Sequence, residues 1–422
     1  MNIRDKLSRL DKTVYQPVED ENNTAESGWK ESFRQELDAE IHSGGSSFIA
    51  VKENYYPVYK NTAFRGVQEN GFILEHISRI SGDLPADPFH LRETIFIDTE
   101  TTGLAGGAGT VAFLIGIGHI ELDHIVVRQY LLPDYQHEWL LLQKLENVLL
   151  GCRNVVSFNG KSYDIPLLRN RFILNRMDSC LDEKYHLDLL HPARRLWRRR
   201  LTACDLQSLE KAILGQERVG DVAGELIPQI YFEYIRKRDA LLLRDILEHN
   251  FYDIVNLALL TMQIGRITED PVNHLSHPQD IYSLASWYYN CRFYQEAVDL
   301  LQAAGSKHAA LSRNGDFLFL LSMALKKLER FAEATEQVKQ LLQQKNDHPQ
   351  AVEELAKYYE HKEKDYPAAL ELVEQSLNFI EMLDQMDHPS PLREKRQELL
   401  HRRNRLMKRI ERQAAAAKAV QK

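Results

Sequence analysis

The chain has 422 residues, 44 % apolar and 27 % charged, with 53 Lys and Arg against 61 Asp and Glu for a formal net charge of −8. That length predicts two or three domains of roughly 100–200 residues, and no stretch nears the ~18 consecutive apolar residues that a membrane span needs. The N-terminus has no apolar run of the kind a secretory signal carries, so a cytoplasmic protein is expected.

Cys152, Cys180, Cys204 and Cys291 form no Cys-x-x-Cys pair, which argues against both a disulfide framework and a thiolate zinc site. The negative net charge disfavours indiscriminate binding to nucleic acid, but two basic segments stand apart from that sum.

In chain order, residues 1–45 are polar, contain EDENNTAESG and run into Gly44-Gly45-Ser46-Ser47, a composition that predicts a flexible arm. Residues 46–90 contain, from Phe48, the run FIAVKENYYPVYK, whose aromatic and β-branched content predicts a strand or hairpin that Pro57 confines to an edge. Residues 91–265 interleave strand and helix patterns and predict an α/β domain. Thr94–Asp98, TVAFLIGIGHI and HIVVRQYLL form a predicted meander, followed by the helical EWLLLQKLENVLL, the strand NVVSF and helices over 165–177 and 240–264.

After Pro271 and Pro278, residues 279–385 are helical and repeat themselves as FYQEAVDLL, FAEATEQVKQLL and YPAALELVEQSL. Ala297, Ala334 and Ala369 occupy equivalent places, 37 and 35 residues apart by subtraction. These separations approach the ~34-residue period of tetratricopeptide repeats, although a plain helical bundle would fit the same pattern. The segment 391–422 carries eleven Lys or Arg against three Glu from Arg393 onward and predicts a solvated basic helix.

Three motifs carry chemistry. Asp98-Thr-Glu100-Thr-Thr-Gly103 ends an apolar strand, where alternation puts Asp98 and Glu100 on one side. Two carboxylates that close repel unless a cation lies between them, and hard oxygen ligands suit Mg²⁺ or Mn²⁺; an acidic turn is the plainer alternative. Ser157-Phe-Asn159-Gly160-Lys161-Ser-Tyr-Asp164-Ile-Pro166 reads as strand, turn and helix start, where Asp164 taken alone equally fits an N-terminal cap. His249-Asn250-Phe-Tyr-Asp253 lies in a helix, and its four-residue spacing stacks His249 over Asp253.

Taken together, an Asp-x-Glu strand, an Asn-x-x-x-x-Asp segment and a helical Asp in this order resemble the motifs of the DEDD, or DnaQ-like, 3′–5′ exonuclease superfamily. The wider stretches GLAGGAGTVAFLIGIG, FNGKSYDIPLLRNRFILNR, HLDLLHPARRLWRRRL and HNFYDIVNLALL are similar to the bacterial YprB-like branch, over about residues 90–265. The resemblance implies a ribonuclease H-like mixed sheet flanked by helices, followed by an all-α tetratricopeptide-like domain. It also implies two Mg²⁺ or Mn²⁺ ions about 4 Å apart on Asp98, Glu100, Asp164 and Asp253, with nucleoside 5′-monophosphates as products. Better-known branches place Tyr four residues before the last Asp or His five before it. This chain has His249 at the tyrosine spacing, and a one-residue shift turns a helical side chain by about 100°. His249 is therefore expected to replace the tyrosine and to orient or deprotonate the attacking water.

DNA or RNA, as a single-stranded 3′ end, is the expected substrate. Arg194, Arg195, Trp197, Arg198, Arg199 and Arg200 offer guanidiniums for phosphates and an indole for stacking, though they equally fit a basic helix paired with the protein's own acids. Thr99, Thr101, Asn159 and Lys161 complete the expected substrate contacts. Asp188 is left outside the metal set, and Gly106-Gly107-Ala-Gly109 lacks the following Lys-Ser/Thr of a phosphate loop. Two further possibilities are an endonuclease using the same ions and a nucleic-acid-binding scaffold with little turnover. The helical repeats are expected to serve a protein partner or to position substrate.

Overall fold

The computed structural model describes residues 19–58, 77–82, 89–103, 109–218, 220–344, 348–385 and 393–420. By internal packing these residues form two compact units, one within 1–194 and 203–269, the other within 195–202 and 270–422. No described helix is long and apolar enough to cross a membrane.

The apolar runs of the first unit build a sheet of seven strands among the described residues. These are β1 (Glu40–Gly44), β2 (Ser47–Pro57), β3 (Thr94–Thr101), β4 (Ala112–Glu121), β5 (His124–Leu131), β6 (Asn154–Ser157) and β7 (Tyr185–Asp188), in spatial order β1-β2-β5-β4-β3-β6-β7. The expected meander is β3-β4-β5, antiparallel throughout, while β6 adds to β3 in parallel and β7 to β6 in parallel. The sheet is therefore mixed, and β3 is the strand where antiparallel meets parallel. Thr94 to Ile97 of β3 are buried, and burial relaxes from Asp98 onward, so the acids emerge at the strand's open end.

The strand that opens the segment 46–90 is part of this same sheet, since β2 pairs antiparallel with β5 over Ala50–Pro57. On its other side β1 reaches only as far as Val51, so Pro57 falls where a missing N–H costs no ladder bond. Residues 59–76 and 83–88 lie outside the described residues. The expected arm is folded over much of its length, a correction to the composition argument. Glu19–Leu37 forms helix α1, and its Phe33 and Leu37 are in the core. A four-residue apolar spacing, Trp29-Phe33-Leu37, is enough to dock an otherwise polar helix.

Helices α2 (Glu138–Leu150), α3 (Asp164–Leu174), α4 (Leu190–Trp197), α5 (Ile227–Lys237) and α6 (Arg244–Glu269) follow. Helix α6 lies very close to β4 because two glycines leave room for it. A Cβ on Gly116 would meet Asn250 Oδ1 at 2.2 Å, and one on Gly118 would meet Ile254 Cγ2 at 2.4 Å. This approach brings Asp253 of α6 next to the end of β3.

In the second unit each helix packs on the next in chain order, from α7 (Pro278–Asn290), α8 (Tyr294–Lys307), α9 (Gly315–Lys327) and α10 (Phe331–Gln344) to α11 (Pro349–Tyr358), α12 (Tyr366–Gln385) and α13 (Arg393–Val420). Ala297, Ala334 and Ala369 are buried, each in the second helix of a consecutive pair. The basic segment is not simply solvated. Leu399 and Leu406 of α13 enter a core with Val373, Leu377 and Ile380, while Arg402, Arg405 and Arg409 converge on the fully buried Glu360 at 2.8, 2.8 and 3.4 Å. Arginines at i, i+3 and i+7 share one helix face, and a buried carboxylate gives that face a partner.

Gly118→Val is expected to cost about 2 kcal/mol or more by overpacking α6 against β4, read as a lower first transition in urea. Glu360→Ala leaves guanidiniums converging on an empty place and should destabilise the helical unit by about 3 kcal/mol. Trypsin should then cut α13 first; equal cleavage rates would refute the clamp.

Candidate active site

Strand alternation, a helix start and one turn of α6 bring four carboxylates from three separate segments into one another's electrostatic field. Burial, with the charges of Asp253, Glu100 and Asp164, pushes the Asp98 carboxyl well above its ordinary range. Burial likewise pushes Glu100 up to about 8, helped by Asp253, Asp164 and Asp221 and opposed by His249. Asp164 is pushed by burial up to about 6, against the hydrogen bond that Thr99 Oγ1 donates to it. Tyr163, not Asp164, occupies the cap position of α3 and makes no side-chain cap bond. Asp164 thus spends its carboxylate on Thr99 and on facing the other acids.

His249 sits over Asp253 as the four-residue spacing requires. Its Nε2 is 3.3 Å from Asp253 Oδ2 and 3.9 Å from Glu100 Oε1, and its Nδ1 is 2.8 Å from Asp221 Oδ1. Burial would lower the imidazole's pKa, but the bonds and charges of Asp253, Glu100 and Asp221 outweigh it and raise it to about 10. Asp253 is the exception among the acids. Burial opposes its ionisation, but His249 and Arg218 together hold it below the usual carboxylate range. Arg218 has only 11 % of its side chain exposed; it donates to Asp253 Oδ1, binds Glu210 through both Nε and Nη2, and reaches Asp221 Oδ2 at 3.3 Å.

Asn250, one residue after His249, turns the other way around the helix. Its Nδ2 donates to Asp98 Oδ2 at 2.9 Å, while its Oδ1 accepts from Gln129 Nε2 at 3.0 Å. Asp98 is therefore oriented by a buried amide chain running from β5 through α6. Sequence reasoning missed Arg218, Asp221, Glu210 and Gln129 as neighbours of the site. Arg218 and Asp221 lie in the stretch Gly215 to Gly220 and just after it, outside every motif, and the only local signal was a charged loop between two glycines.

Asn159 adopts φ +63°, as an Asn-Gly turn permits. Its N–H and that of Lys161 donate to the buried Asp188 at 2.7 and 3.1 Å, and Leu190 N–H does so at 3.1 Å. Asp188 is thus a backbone anchor that holds the turn leading into Asp164. Thr101 Oγ1 donates to Gly103 O at 2.9 Å, and Lys161 is exposed. Residues 104–108, including the Gly-Gly pair, lie outside the described residues.

The basic segment differs from expectation. Trp197 is 1 % exposed and cannot offer a face to a base. Arg195 and Arg199 lie over the rings of Trp287 and Tyr282, at 3.9 and 4.7 Å from their centroids, and Arg200 grips the buried Asp280 at 2.9 and 3.0 Å. The aromatic and acidic residues of α7 are nearer partners than any external phosphate. Arg194 and Arg198 face solvent.

Glu100, His249 and Asp253 each offer a ligand atom, and these atoms lie within 4.8 Å of one another. An oxygen-rich donor set, with carboxyls whose ionisation burial and mutual repulsion oppose, suits a hard divalent cation. Residues 95–264 match the family described as the RNase_H superfamily. Over 396 residues the chain is 31 % identical to "Uncharacterized protein YprB" of Bacillus subtilis (strain 168), covering 90 % of this chain and 94 % of that one. The chain belongs to the YprB family. Its superfamily domain implies a hydrolase acting on nucleic acids, of a kind that typically uses divalent metals.

The repulsion among the acids has a measurable signature. Folded Glu100 keeps its proton up to about pH 8, against an ordinary value of 4.5. The folded state therefore binds the extra proton across that window, and metal-free stability falls as pH rises through it. Glu100→Gln should flatten this slope and exceed the wild type at pH 8 by about 2 kcal/mol in EDTA. Millimolar Mn²⁺ should reverse the order. Identical urea midpoints for both proteins at pH 5 and pH 8 would contradict this electrostatic account.

Proposed function

We propose that the protein is a cytoplasmic, divalent-metal-dependent 3′–5′ exonuclease of the DEDD type that hydrolyses phosphodiester bonds of DNA or RNA. The observation that carries the reading is geometric: ligand atoms of Glu100, His249 and Asp253 lie within 4.8 Å of one another, while Asn250 on the same turn of α6 binds Asp98 and Thr99, between Asp98 and Glu100, binds Asp164. A protein that only bound nucleic acid would gain nothing from a negative cluster facing phosphates.

In this reading Asp98, Glu100, Asp164 and Asp253 would hold two Mg²⁺ or Mn²⁺ ions. Such ions supply Lewis-acid stabilisation for charge on the phosphate and on the entering and leaving oxygens. Asn250 keeps the Asp98 carboxylate oriented, Thr99 does the same for Asp164, and Arg218 for Asp253. The His249 imidazole is held protonated chiefly by Asp253, the carboxylate that stays ionised. Neutralising that carboxylate would weaken this hold and leave Nε2 able to accept a proton from water. Asn159 and Lys161, on the turn before Asp164, and the solvent-facing Arg194 are the proposed phosphate contacts. The tetratricopeptide-like helices would take a protein partner or guide the strand.

The test is incubation of 5′-labelled single-stranded DNA and RNA oligonucleotides with purified full-length protein and Mg²⁺ or Mn²⁺. A ladder of shortened products is expected, together with nucleoside 5′-monophosphates. The double variant Asp98→Ala, Glu100→Ala should lose at least about 10³-fold in rate. Internal cuts in circular substrate would favour an endonuclease. Intact substrate bound equally by both proteins would favour a scaffold.

A further inference from the structure

The stretch from Gly215 to Asp221 belongs to none of the three acidic motifs, yet it reaches the site from outside. It leaves a short helical turn through Gly215 at φ +66° and passes Gly220 at φ +80°, two left-handed positions at which a Cβ would be strained. Residue 219 lies outside the described residues. The stretch delivers two side chains to one turn of α6. Arg218 donates to Asp253 and, through Nη1, to the backbone oxygen of His249 at 3.2 Å. Asp221 meets the far side of the His249 ring.

We propose that Asp221 is a positioning residue for His249, holding Nδ1 so that Nε2 is turned to Glu100 and Asp253. The inference rests on the nuclease reading above for its consequence, but its geometry is independent of that reading. An imidazole alone can flip about its Cβ–Cγ bond and exchange tautomers, and either change removes the acceptor lone pair from the reacting side. A carboxylate at Nδ1 accepts that N–H and fixes both choices. The 2.8 Å contact provides this, and the ring has only 9 % of its side chain exposed. Asp221 is itself held from two sides, by Arg218 Nη1 at 3.3 Å and Gln207 Nε2 at 3.2 Å. It therefore has little freedom to follow the ring if the ring turns.

Asp221→Ala, Asp221→Asn, His249→Ala and the double variant Asp221→Ala, His249→Ala test this in the full-length chain. Asp221→Ala should lower kcat about 10- to 100-fold with KM within about threefold. Asp221→Asn should not recover that loss, since its one carbonyl oxygen is taken by the Arg218 and Gln207 donors and its NH2 is left facing Nδ1, which favours the Nε2-protonated ring. The double variant should be no slower than His249→Ala, because a residue acting only through the ring has nothing left to act on. Mn²⁺ affinity of Asp221→Ala should stay within about twofold of wild type, whereas a metal ligand would lose far more.

A readout that needs no turnover is the ring ¹⁵N spectrum of His249 with Mg²⁺ present, assigned by its loss in His249→Ala. Wild type should show the Nδ1-protonated pattern, and Asp221→Ala and Asp221→Asn an averaged or Nε2-protonated one. An unchanged ring spectrum in Asp221→Ala, additive losses in the double variant, or a collapse of Mn²⁺ affinity would each overturn the proposal. If the wild type cleaves nothing, the nuclease reading fails by itself, and the ring spectrum still decides whether Asp221 holds His249.

Discussion

Everything about the first unit is organised around a repulsion. Asp98, Glu100, Asp164 and Asp253 are close enough, and buried enough, that the fold must keep apart what the chemistry wants together. Without ions, the structure manages this by leaving three of the acids reluctant to ionise and by giving the fourth, Asp253, two cations. Buried like charges are tolerated only with such compensation. Arg218 and His249 are the local compensators, and both are in turn balanced, Arg218 by Glu210 and both by Asp221.

The backbone makes that concentration of charge possible. Only where β3 stops being buried can carboxylates point out of the sheet, and only a helix lying almost on the strands can bring Asp253 to meet them. Gly116 and Gly118 on β4 permit that approach, and the Asn250 amide fills the space beside the first of them while fixing Asp98. A packing feature and an orientation feature are therefore the same contact. The Asn159 turn is a second case: Asp188 binds its backbone, so the entry to α3 and the position of Asp164 are set together.

The helical unit follows a different economy, in which charge is used as structure. Glu360 is buried among three arginines of α13, and Arg195, Arg199 and Arg200 are occupied by the aromatics and Asp280 of α7. Several basic residues that look like nucleic-acid contacts in one dimension, Arg195, Arg199 and Arg200 among them, are here bound to the protein itself. Guanidinium groups stack and fork readily, so they take the nearest aromatic face or carboxylate that packing offers.

The sequence by itself determined the interleaved strands and helices, the meander, the helical second half, and the residues that form the acidic cluster. Each of these depends on local spacing: a two-residue alternation for Asp98 and Glu100, a four-residue turn for His249 over Asp253. Tertiary structure alone decided the rest. The docking of α1, the addition of β1 and β2 to the sheet and the parallel placement of β7 depend on which apolar faces meet. The burial of Trp197 is a matter of packing, and the capture of α13 by Glu360 depends on partners more than thirty residues away. Arg218 and Asp221 show the limit most clearly, because a charged loop residue has no periodicity to reveal its target. What it touches is settled by where the folded chain carries it, here two side chains onto the one turn of α6 where charge has to be balanced.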